Sequence, residues 1–471
     1  MMKPSVARRL GAVGLASAIA LTTFGCSTPS TPGTSQEPSG SSSPSAPPST
    51  PAEPVTITVT GKPSDDQPEE MKVFTDRINA FMERHPHITV VGSDLNWDPQ
   101  TFNAMLAGGT LPDLYVVYFT DSLSIIRNQQ ASDITDALKE TGIDQLLNDQ
   151  VLGLVKGENG GFYGIPFTAY GLGLVYNRDL FTKAGLDPDA PPATWDEVRE
   201  AAKKITDATG VPGFATMGEG GQGGWQLTAA AYSFGATVQA PDGTPELVTP
   251  EVKAYLELLQ KMRFEDKSMS DNVLYTQTSI GQALAAGQVA MYVGSPTSYG
   301  EAVTQFGMEA ASFGMGAMPQ QGGAHGTLTG GGVFMVSPAA SPEQKAAVAL
   351  YVKEIYLNAA GLDEEAAVSA AKANADQNLP VGLPGLSVFA TSANAQLLEW
   401  IGPYINVPRE NFVKYEASLE TLPLLIEPTV NGQDLYALLG PVQQTVLTDS
   451  GADITALLQE ASDTFESRLG R

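Results

Sequence analysis

The 471-residue chain contains one cysteine, Cys26, so no internal disulfide can form. It has only three histidines and no serine in a G-x-S-x-G arrangement, which disfavours a histidine-based hydrolase. The glycine-rich run 218–224 lacks the Lys and Ser/Thr of a phosphate loop, so it predicts a flexible binding loop and no nucleotide site. Basic residues are also scarce, since 26 Lys and Arg stand against 52 Asp and Glu and give a net charge of −26. Such a field repels phosphate backbones, and we expect no nucleic-acid partner.

Metal-binding patterns are also lacking. His85 and His87 flank Pro86, but no third ligand of suitable spacing is nearby in the sequence. We therefore predict no metal site and no cofactor. Paired carboxylates for glycoside hydrolysis have no local sequence signature, because the separation of such a pair is set in space and not along the chain. A secreted, lipid-anchored glycoside hydrolase accordingly stays an alternative.

The N-terminus has the three parts of an export signal. Basic residues precede an apolar run over residues 10–21, and small residues then lead to Cys26. This pattern predicts a lipoprotein signal peptide at 1–25, with Cys26 lipidated after cleavage and two acyl chains holding the protein. No later stretch approaches the roughly 18 consecutive apolar residues of a membrane-spanning helix. The expected location is extracytoplasmic, lipid-anchored to the outer face of the bacterial cytoplasmic membrane.

The segment after the cysteine is a predicted tether. Residues 26–54 are mostly Ser, Thr, Pro and Gly, and they contain no aromatic residue. Such a composition buries too little apolar surface to offset the entropy of ordering, so we expect a disordered spacer. The anchor is then the only predicted contact with a membrane.

From residue 55 onward the sequence alternates strand and helix signals, as in an α/β fold. The first strand reads VTITVT, with alternating β-branched residues. The strands are predicted at 55–60, 88–91, 114–118, 172–176, 289–293 and 333–336. Capping signals and apolar spacing predict helices at 195–206, 250–263 and 342–358, and an earlier one that carries Met71, Phe74, Ile78 and Phe81 on one face.

Several motifs together resemble a known family. The most specific segment, residues 161–205, reads GFYGIPFTAYGLGLVYNRDLFTKAGLDPDAPPATWDEVREAAKKI. Supporting matches are AMLAGGTLPDLYVV, GQVAMYVGSP, GGVFMVSPAASPEQKAAVALYVKEIY and GPVQQTVLTDSGADITALLQEA. Together they cover nearly all of residues 55–471, and they resemble the sugar-type extracellular solute-binding proteins of ABC importers, the family of maltose-binding protein.

The resemblance implies a two-lobed periplasmic-binding-protein-like fold, each lobe a doubly wound α/β sheet flanked by helices, with the ligand cleft between the lobes. The expected limits are 55–165 plus 333–412 for the first lobe and 166–332 plus 413–471 for the second. Crossings between the lobes are expected near 163–168, near 331–336 and near Phe412. The glycines at 330–332 suit a crossing that absorbs backbone rotation.

The resemblance also implies a binding protein that makes or breaks no bond. We expect it to capture a small polar ligand, a mono- or oligosaccharide, to deliver that ligand to the permease subunits of an ABC importer, and to act as a monomer. Besides the hydrolase, a structural envelope lipoprotein that has lost its ligand is an alternative.

Candidate ligand-binding residues are polar and aromatic side chains that follow predicted strands or stand in the glycine-rich run. Strand ends are where open α/β sheets bind ligands, and a sugar needs flat aromatic faces and carboxylate or amide acceptors. The candidates are Ser64, Asp65, Tyr118, Thr120, Asp121, Tyr170, Trp225, Gln226, Ser295 and Tyr299. Asp65 and Asp121 have an alternative interpretation as helix caps, and Trp225 has one as a core residue.

Overall fold

The computed structural model describes residues 53–95 and 99–470. The predicted signal peptide at 1–25, the lipidation residue Cys26, nearly all of the tether and Trp97 lie outside the described residues. Within the described part, no helix combines the length and the apolar character needed to cross a membrane.

Two β-sheets organise the described chain. The first sheet has the order β2-β1-β3-β8-β4, and β9 pairs with the free part of β8. Strands β1, β2 and β3 are parallel to one another, whereas β8 runs antiparallel to β3 and β4 and parallel to β9. The second sheet is antiparallel with the order β6-β5-β7. The strands are β1 (Val55–Val59), β2 (Ile88–Gly92), β3 (Leu114–Tyr118), β4 (Gly164–Gly171), β5 (Gly173–Asn177), β6 (Met291–Gly294), β7 (Phe313–Gly316), β8 (Thr327–Val336) and β9 (Leu424–Ile426).

Helices cover both sheets. They are α1 (Pro68–Arg84), α2 (Pro99–Gly108), α3 (Phe119–Arg127), α4 (Thr135–Thr141), α5 (Asp149–Gly153), α6 (Arg178–Lys183), α7 (Trp195–Thr209), α8 (Gly221–Ser233), α9 (Pro250–Gln260), α10 (Gln277–Ala285), α11 (Thr297–Tyr299), α12 (Pro342–Val352), α13 (Glu364–Asp376), α14 (Thr391–Ile401), α15 (Val413–Leu419), α16 (Gly432–Thr448) and α17 (Ile454–Arg468). Irregular helical segments extend α9 over Lys261–Glu265 and α12 over Lys353–Leu362.

The predicted helix starts are confirmed together with their capping chemistry. Thr194 accepts a hydrogen bond from the Glu197 backbone N–H at 3.2 Å, and the Glu197 carboxylate accepts one from the Thr194 N–H at 3.0 Å. Ser341 and Gln344 form the same reciprocal pair at the start of α12. These bonds satisfy backbone donors that the first helical turn leaves unpaired.

Two large hydrophobic clusters pack against the sheets. The first contains Ile57, Val117 and Phe334 of the first sheet and extends to one face of the second sheet, and the second contains Leu174 and Leu256. Below, the first lobe means the first sheet with its helices, and the second lobe means the second sheet with α7, α8, α9, α16 and α17. This arrangement confirms the predicted two-lobed α/β fold.

The chain passes from the first sheet to the second at Leu172. The Leu172 backbone N–H donates to the Leu328 carbonyl at 3.1 Å, and its carbonyl accepts from the Thr327 hydroxyl at 2.9 Å. The Tyr415 hydroxyl donates to the neighbouring Gly171 carbonyl at 2.7 Å. Strands β4 and β8 extend several residues beyond the expected crossings near 163–168 and 331–336, and the lobe limits stay a prediction.

The glycine-rich run 218–224 is a loop only as far as Gly220, and the prediction of a loop is wrong for the rest of the run. Helix α8 begins at Gly221. A side chain at Gly224 would overlap the backbone of Tyr436 on α16, and one at Gly223 would lie 3.0 Å from the Cα of Gly440. The glycines therefore allow two helices to pack closely, an arrangement that larger residues forbid.

Candidate functional site

A cleft of about 640 Å³ separates α3 of the first lobe from the segment that leads into α16 of the second. Its lining is mostly polar. The lining residues are Phe102, Asn103, Tyr118, Thr120, Asp121, Ser124, Ile125, Asn128, Gln130, Pro428, Thr429, Asn431, Gly432, Gln433 and Asp434. Both walls therefore supply hydrogen-bonding groups to one space.

The first wall follows from the way β3 continues into α3. Strand β3 ends at Tyr118 and the helix begins at the next residue. Asp121, Ser124 and Asn128 have the i, i+3, i+7 spacing of one helix face, and all three line the cleft. Phe119 and Ile126 are buried, which fixes the rotation of the helix. The structure thus brings Tyr118, Thr120 and Asp121 together on this wall, and their role in ligand binding stays a prediction.

A half-buried carboxylate, that of Glu427, lies beside this cleft. It follows β9 directly, and Oε2 accepts a hydrogen bond from the Tyr436 hydroxyl at 3.1 Å. The side chains of Trp225 and Tyr170 lie close enough to the same carboxylate to stabilise its charge. Two of the predicted residues, far apart in sequence, therefore lie beside one acid that the sequence did not single out.

Burial raises the pKa of the Glu427 carboxyl above its ordinary value. The charge of Asp121 on the opposite wall raises that pKa further, whereas the hydrogen bond from Tyr436 and the nearby polar hydrogens of Trp225 and Tyr170 stabilise the ionised carboxylate and oppose the rise. Asp121 and Glu427 are thus close enough to interact electrostatically, which connects the α3 wall with the aromatic residues around Glu427.

Tyr170 depends on a glycine in the neighbouring strand. In the antiparallel pairing of β4 with β8, Tyr170 lies opposite Gly330. A side chain at position 330 would overlap the Tyr170 ring, so the ring can occupy this position only because residue 330 is a glycine. The Thr329 hydroxyl donates to the Tyr170 carbonyl at 2.7 Å and fixes the backbone there.

Trp225 lies in the second turn of α8. It is half-buried and packs against both hydrophobic clusters. The ring therefore contributes to packing, and its role in ligand binding stays a prediction.

The remaining predicted residues lie elsewhere. Ser64 and Asp65 are exposed, do not line the cleft, and the Ser64 hydroxyl donates to Asp66 in its own loop. Ser295 is half-buried and bonds Thr297 at 2.7 Å. None of these three is brought to the cleft.

Two predicted residues are in the core. Gln226 is 3% exposed and donates to the Val293 carbonyl at 3.1 Å, because it faces inward from α8 beside Trp225. Tyr299 is also 3% exposed and packs edge-on against Phe313 at 5.3 Å between ring centroids. Both side chains are therefore packed inside the protein and are not exposed to the cleft.

Sequence reasoning missed the second wall. Glu427 follows a strand of only three residues, too short for a periodic signal, and the polar residues Thr429, Asn431, Gln433 and Asp434 surround a helix start without a side-chain cap. The spacing of Ser124 and Asn128 after Asp121 was the one signal available for the first wall. Among residues 53–95 and 99–470, no group of three or more His, Cys, Asp or Glu side chains is arranged to hold a metal ion.

Comparisons with known proteins agree with this architecture. A relative in Brucella abortus, described as a binding protein, is 27% identical over 230 residues, which is 47% of this chain and 54% of that protein. The sn-glycerol-3-phosphate-binding periplasmic protein of Escherichia coli is 27% identical over 213 residues, 41% of this chain and 46% of that protein. The chain thus spans about half the length of the curated relatives it matches.

A solved structure shares the fold over nearly the whole molecule. The cyclic alpha-maltosyl-1,6-maltose binding protein from Arthrobacter globiformis superposes with a TM-score of 0.63 at 19% identity, covering 88% of this chain and 98% of that chain. The model of the family described as "Bacterial extracellular solute-binding protein" matches residues 64–360, more than half of the sequence. The chain therefore belongs to the bacterial extracellular solute-binding proteins.

Proposed function

We propose that this protein captures a neutral polyhydroxylated ligand, a mono- or oligosaccharide, between its lobes and delivers it to the permease subunits of an ABC importer. The observation that carries the proposal is the cluster of Trp225, Tyr170 and Glu427 opposite Asp121, at the edge of a polar cleft. Aromatic rings and carboxylates are the two kinds of group that a sugar requires.

The chemistry of a sugar matches these side chains. Its C–H face packs on an aromatic ring, and its hydroxyls donate to carboxylate and amide oxygens. Tyr118 offers such a ring because it is 54% exposed at the cleft, which is unusual for a large aromatic residue at a strand end. Asp121, Asn128 and Gln433 supply acceptors from both walls.

The charge of the cleft favours a neutral ligand. Its lining includes Asp121 and Asp434, and within the described part of the chain no Lys or Arg lines it. A phosphate ester placed there would meet these carboxylates, and the guanidinium of Arg127 next to the lining residue Thr429 already donates to protein oxygens. The Escherichia coli relative is named for sn-glycerol-3-phosphate and the Arthrobacter globiformis protein for a cyclic maltosyl-maltose. For this chain we propose the carbohydrate type of ligand.

A thermal-shift screen of the purified protein tests the proposal. Neutral sugars and polyols are compared with glycerol phosphate, amino acids and polyamines at equal concentration. A compound at 100 times its dissociation constant adds roughly 2.7 kcal/mol to the free energy of unfolding, a clear rise in melting temperature. The proposal expects the rise among neutral sugars or polyols. If glycerol phosphate alone stabilises the protein, the proposed ligand class is wrong.

The location is also part of the proposal. We propose cleavage before Cys26, lipidation of its thiol, a monomeric protein outside the cytoplasmic membrane, and a tether that ends near Val55. The family supports an extracytoplasmic site of action. Substitution Cys26→Ala is expected to release the protein into the medium or to leave it unprocessed, and unchanged membrane retention would contradict the anchor.

One electrostatic feature keeps the hydrolase alternative worth testing. Glu427, whose pKa is raised, interacts electrostatically with the carboxylate of Asp121. Two carboxyl groups with different pKa values are also found in the active sites of glycoside hydrolases. The hydrogen bond from Tyr436 and the nearby rings of Trp225 and Tyr170 favour a positioning role for Glu427. Release of reducing sugar from an oligosaccharide incubated with the protein would favour the hydrolase, and stoichiometric capture without product favours the binding protein.

A further inference from the structure

We propose that Arg127 is a positioning residue that holds the two lobes closed over the cleft. The role in ligand binding rests on the proposed function, whereas the contacts of Arg127 between the lobes do not depend on it. Arg127 is the last residue of α3, on the first lobe. Its guanidinium reaches two segments of the second lobe that are more than 100 residues away in sequence.

The contacts of Arg127 use each of its nitrogens. Nη1 donates to the Pro241 carbonyl at 2.8 Å, and Nη2 donates to the Thr429 hydroxyl at 2.8 Å. Nε donates to the Leu123 carbonyl of its own helix at 3.3 Å. A planar guanidinium held at three points has a fixed orientation, so the bridge is directional and not a loose surface contact.

The two acceptor segments behave as one body. The Gln239 side-chain amide donates to the Val430 carbonyl at 2.7 Å and accepts from the Val430 N–H at 3.0 Å. These bonds join the turn that contains Pro241 to the segment that contains Thr429. Arg127 therefore binds a preassembled edge of the second lobe, and breaking its contacts frees the first lobe from both segments at once.

The bridge joins the same two walls that form the cleft. Asp121 and Ser124 line the cleft from α3, the helix that ends in Arg127. Thr429 lines it from the other side, two residues after Glu427. Any rotation that opens the cleft between these walls must lengthen the Arg127 contacts. The bridge consequently favours the arrangement in which ligand-binding groups of both lobes face one another.

The acceptors are uncharged, and this sets the expected behaviour. A hydrogen bond from a charged donor to a neutral acceptor is stronger than one between two neutral groups, but Arg127 is exposed, so these bonds stabilise the closed arrangement only moderately. We call the contacts of Arg127 with Pro241 and Thr429 the latch. The latch favours the closed arrangement but still allows the lobes to open, as a protein that must release its ligand requires. We expect its loss to change ligand dissociation by about 3- to 10-fold.

The test measures the separation of the lobes directly. In a Cys26→Ala background, spin labels are placed at Glu70→Cys on α1 of the first lobe and Ala254→Cys on α9 of the second, and their distance distribution is recorded without added sugar. Arg127→Ala is expected to shift or broaden the distribution towards longer distances, and Arg127→Lys to restore it in part. An unchanged distribution in Arg127→Ala would overturn the proposal.

Two controls separate the latch from other effects. Arg84→Ala removes an exposed arginine whose partner, Glu354, lies on the same lobe, so the distribution should stay as in the wild type. Thr429→Val removes one acceptor and should add little to Arg127→Ala, because both changes break the same bond. Full additivity of the two shifts would contradict the assignment of this contact.

A measurement of ligand dissociation separates this proposal from the proposed function. The neutral sugar that most stabilises the wild type in the thermal-shift screen is used as the probe, and its dissociation rate should rise by about 3- to 10-fold in Arg127→Ala. If no sugar stabilises the wild type, the proposed function fails while the distance measurement still decides the latch. If sugars bind but both the dissociation rate and the distance are unchanged, the latch fails alone.

Discussion

The Tyr436 hydroxyl on α16 donates a 3.1 Å hydrogen bond to Oε2 of Glu427, at the point where the chain leaves β9. The rings of Trp225 and Tyr170 lie close to the same carboxylate. One acid therefore lies beside three rings that come from α8, β4 and α16. Because β4 belongs to the first lobe and both helices to the second, Glu427 lies where the two lobes meet.

Glu427 is expected to make stability depend on pH. Burial raises its pKa, so the folded protein keeps this proton over a pH range in which the unfolded chain has lost it. The free energy of unfolding therefore falls as the pH rises from the ordinary value of 4.5 through the folded pKa. Glu427→Gln keeps an acceptor but cannot ionise, and chemical denaturation across this window should show a flatter profile for the variant.

Asp121→Asn provides the matched variant for that profile. The charge of Asp121 raises the pKa of Glu427. Removing that charge therefore lowers the pKa of Glu427 and moves the fall in the free energy of unfolding to lower pH. Glu301 and Glu416 also have raised pKa values from burial, and the comparison must be between variant and wild type. A Glu427→Gln profile parallel to that of the wild type would mean that Glu427 does not titrate as proposed.

Trp225→Ala is expected to weaken both binding and folding. Loss of the ring from the junction of the lobes should reduce sugar affinity about tenfold or more. Because Trp225 is half-buried and touches both cores, the free energy of unfolding should fall by about 1–3 kcal/mol, less than for a fully buried tryptophan. Titration calorimetry and denaturation on the same variant measure the two effects.

Trp195→Ala is the control for that substitution. Trp195 is 0% exposed and donates to the Ser233 hydroxyl at 2.8 Å, so truncation should cost roughly 3–5 kcal/mol while sugar affinity in the folded fraction stays the same. If Trp225→Ala matched Trp195→Ala, with a large stability loss and unchanged affinity, Trp225 would be a core residue only.

Gly224→Ala tests the close approach of α8 and α16. The added methyl group would overlap the Tyr436 backbone, so we expect a loss of about 2 kcal/mol or more despite the better helix propensity of alanine. Gly153→Ala is the comparison, because nothing lies within 4 Å of a side chain at the end of α5. Equal melting temperatures for the two variants would show that the helices do not depend on this contact.

The regular parts of the fold were predictable because their signals are local. Alternating β-branched residues predicted β1, and Thr194 with Glu197 predicted the start of α7, since a capping box involves only neighbouring residues. The family resemblance then supplied the two-lobed arrangement, which no single element determines.

The errors occurred where tertiary contacts decide the outcome. Gly221, Gly223 and Gly224 have low helix propensity, and the close packing of α16 explains why glycine stands at these helical positions. Gln226 is next to Trp225 in sequence, but on a helix the two side chains point about 100° apart, and Gln226 faces the core. Glu427 has no local pattern, since its role comes from rings supplied by three distant elements.

Calorimetric titration of the wild type and Trp225→Ala with the neutral sugar that gives the largest thermal shift, and with sn-glycerol 3-phosphate, tests the central claim most directly. We predict saturable binding of one sugar per chain, at least about tenfold weaker in Trp225→Ala, and no saturable binding of sn-glycerol 3-phosphate. Binding of the phosphate ester alone, or sugar binding unaffected by the loss of Trp225, would contradict the account.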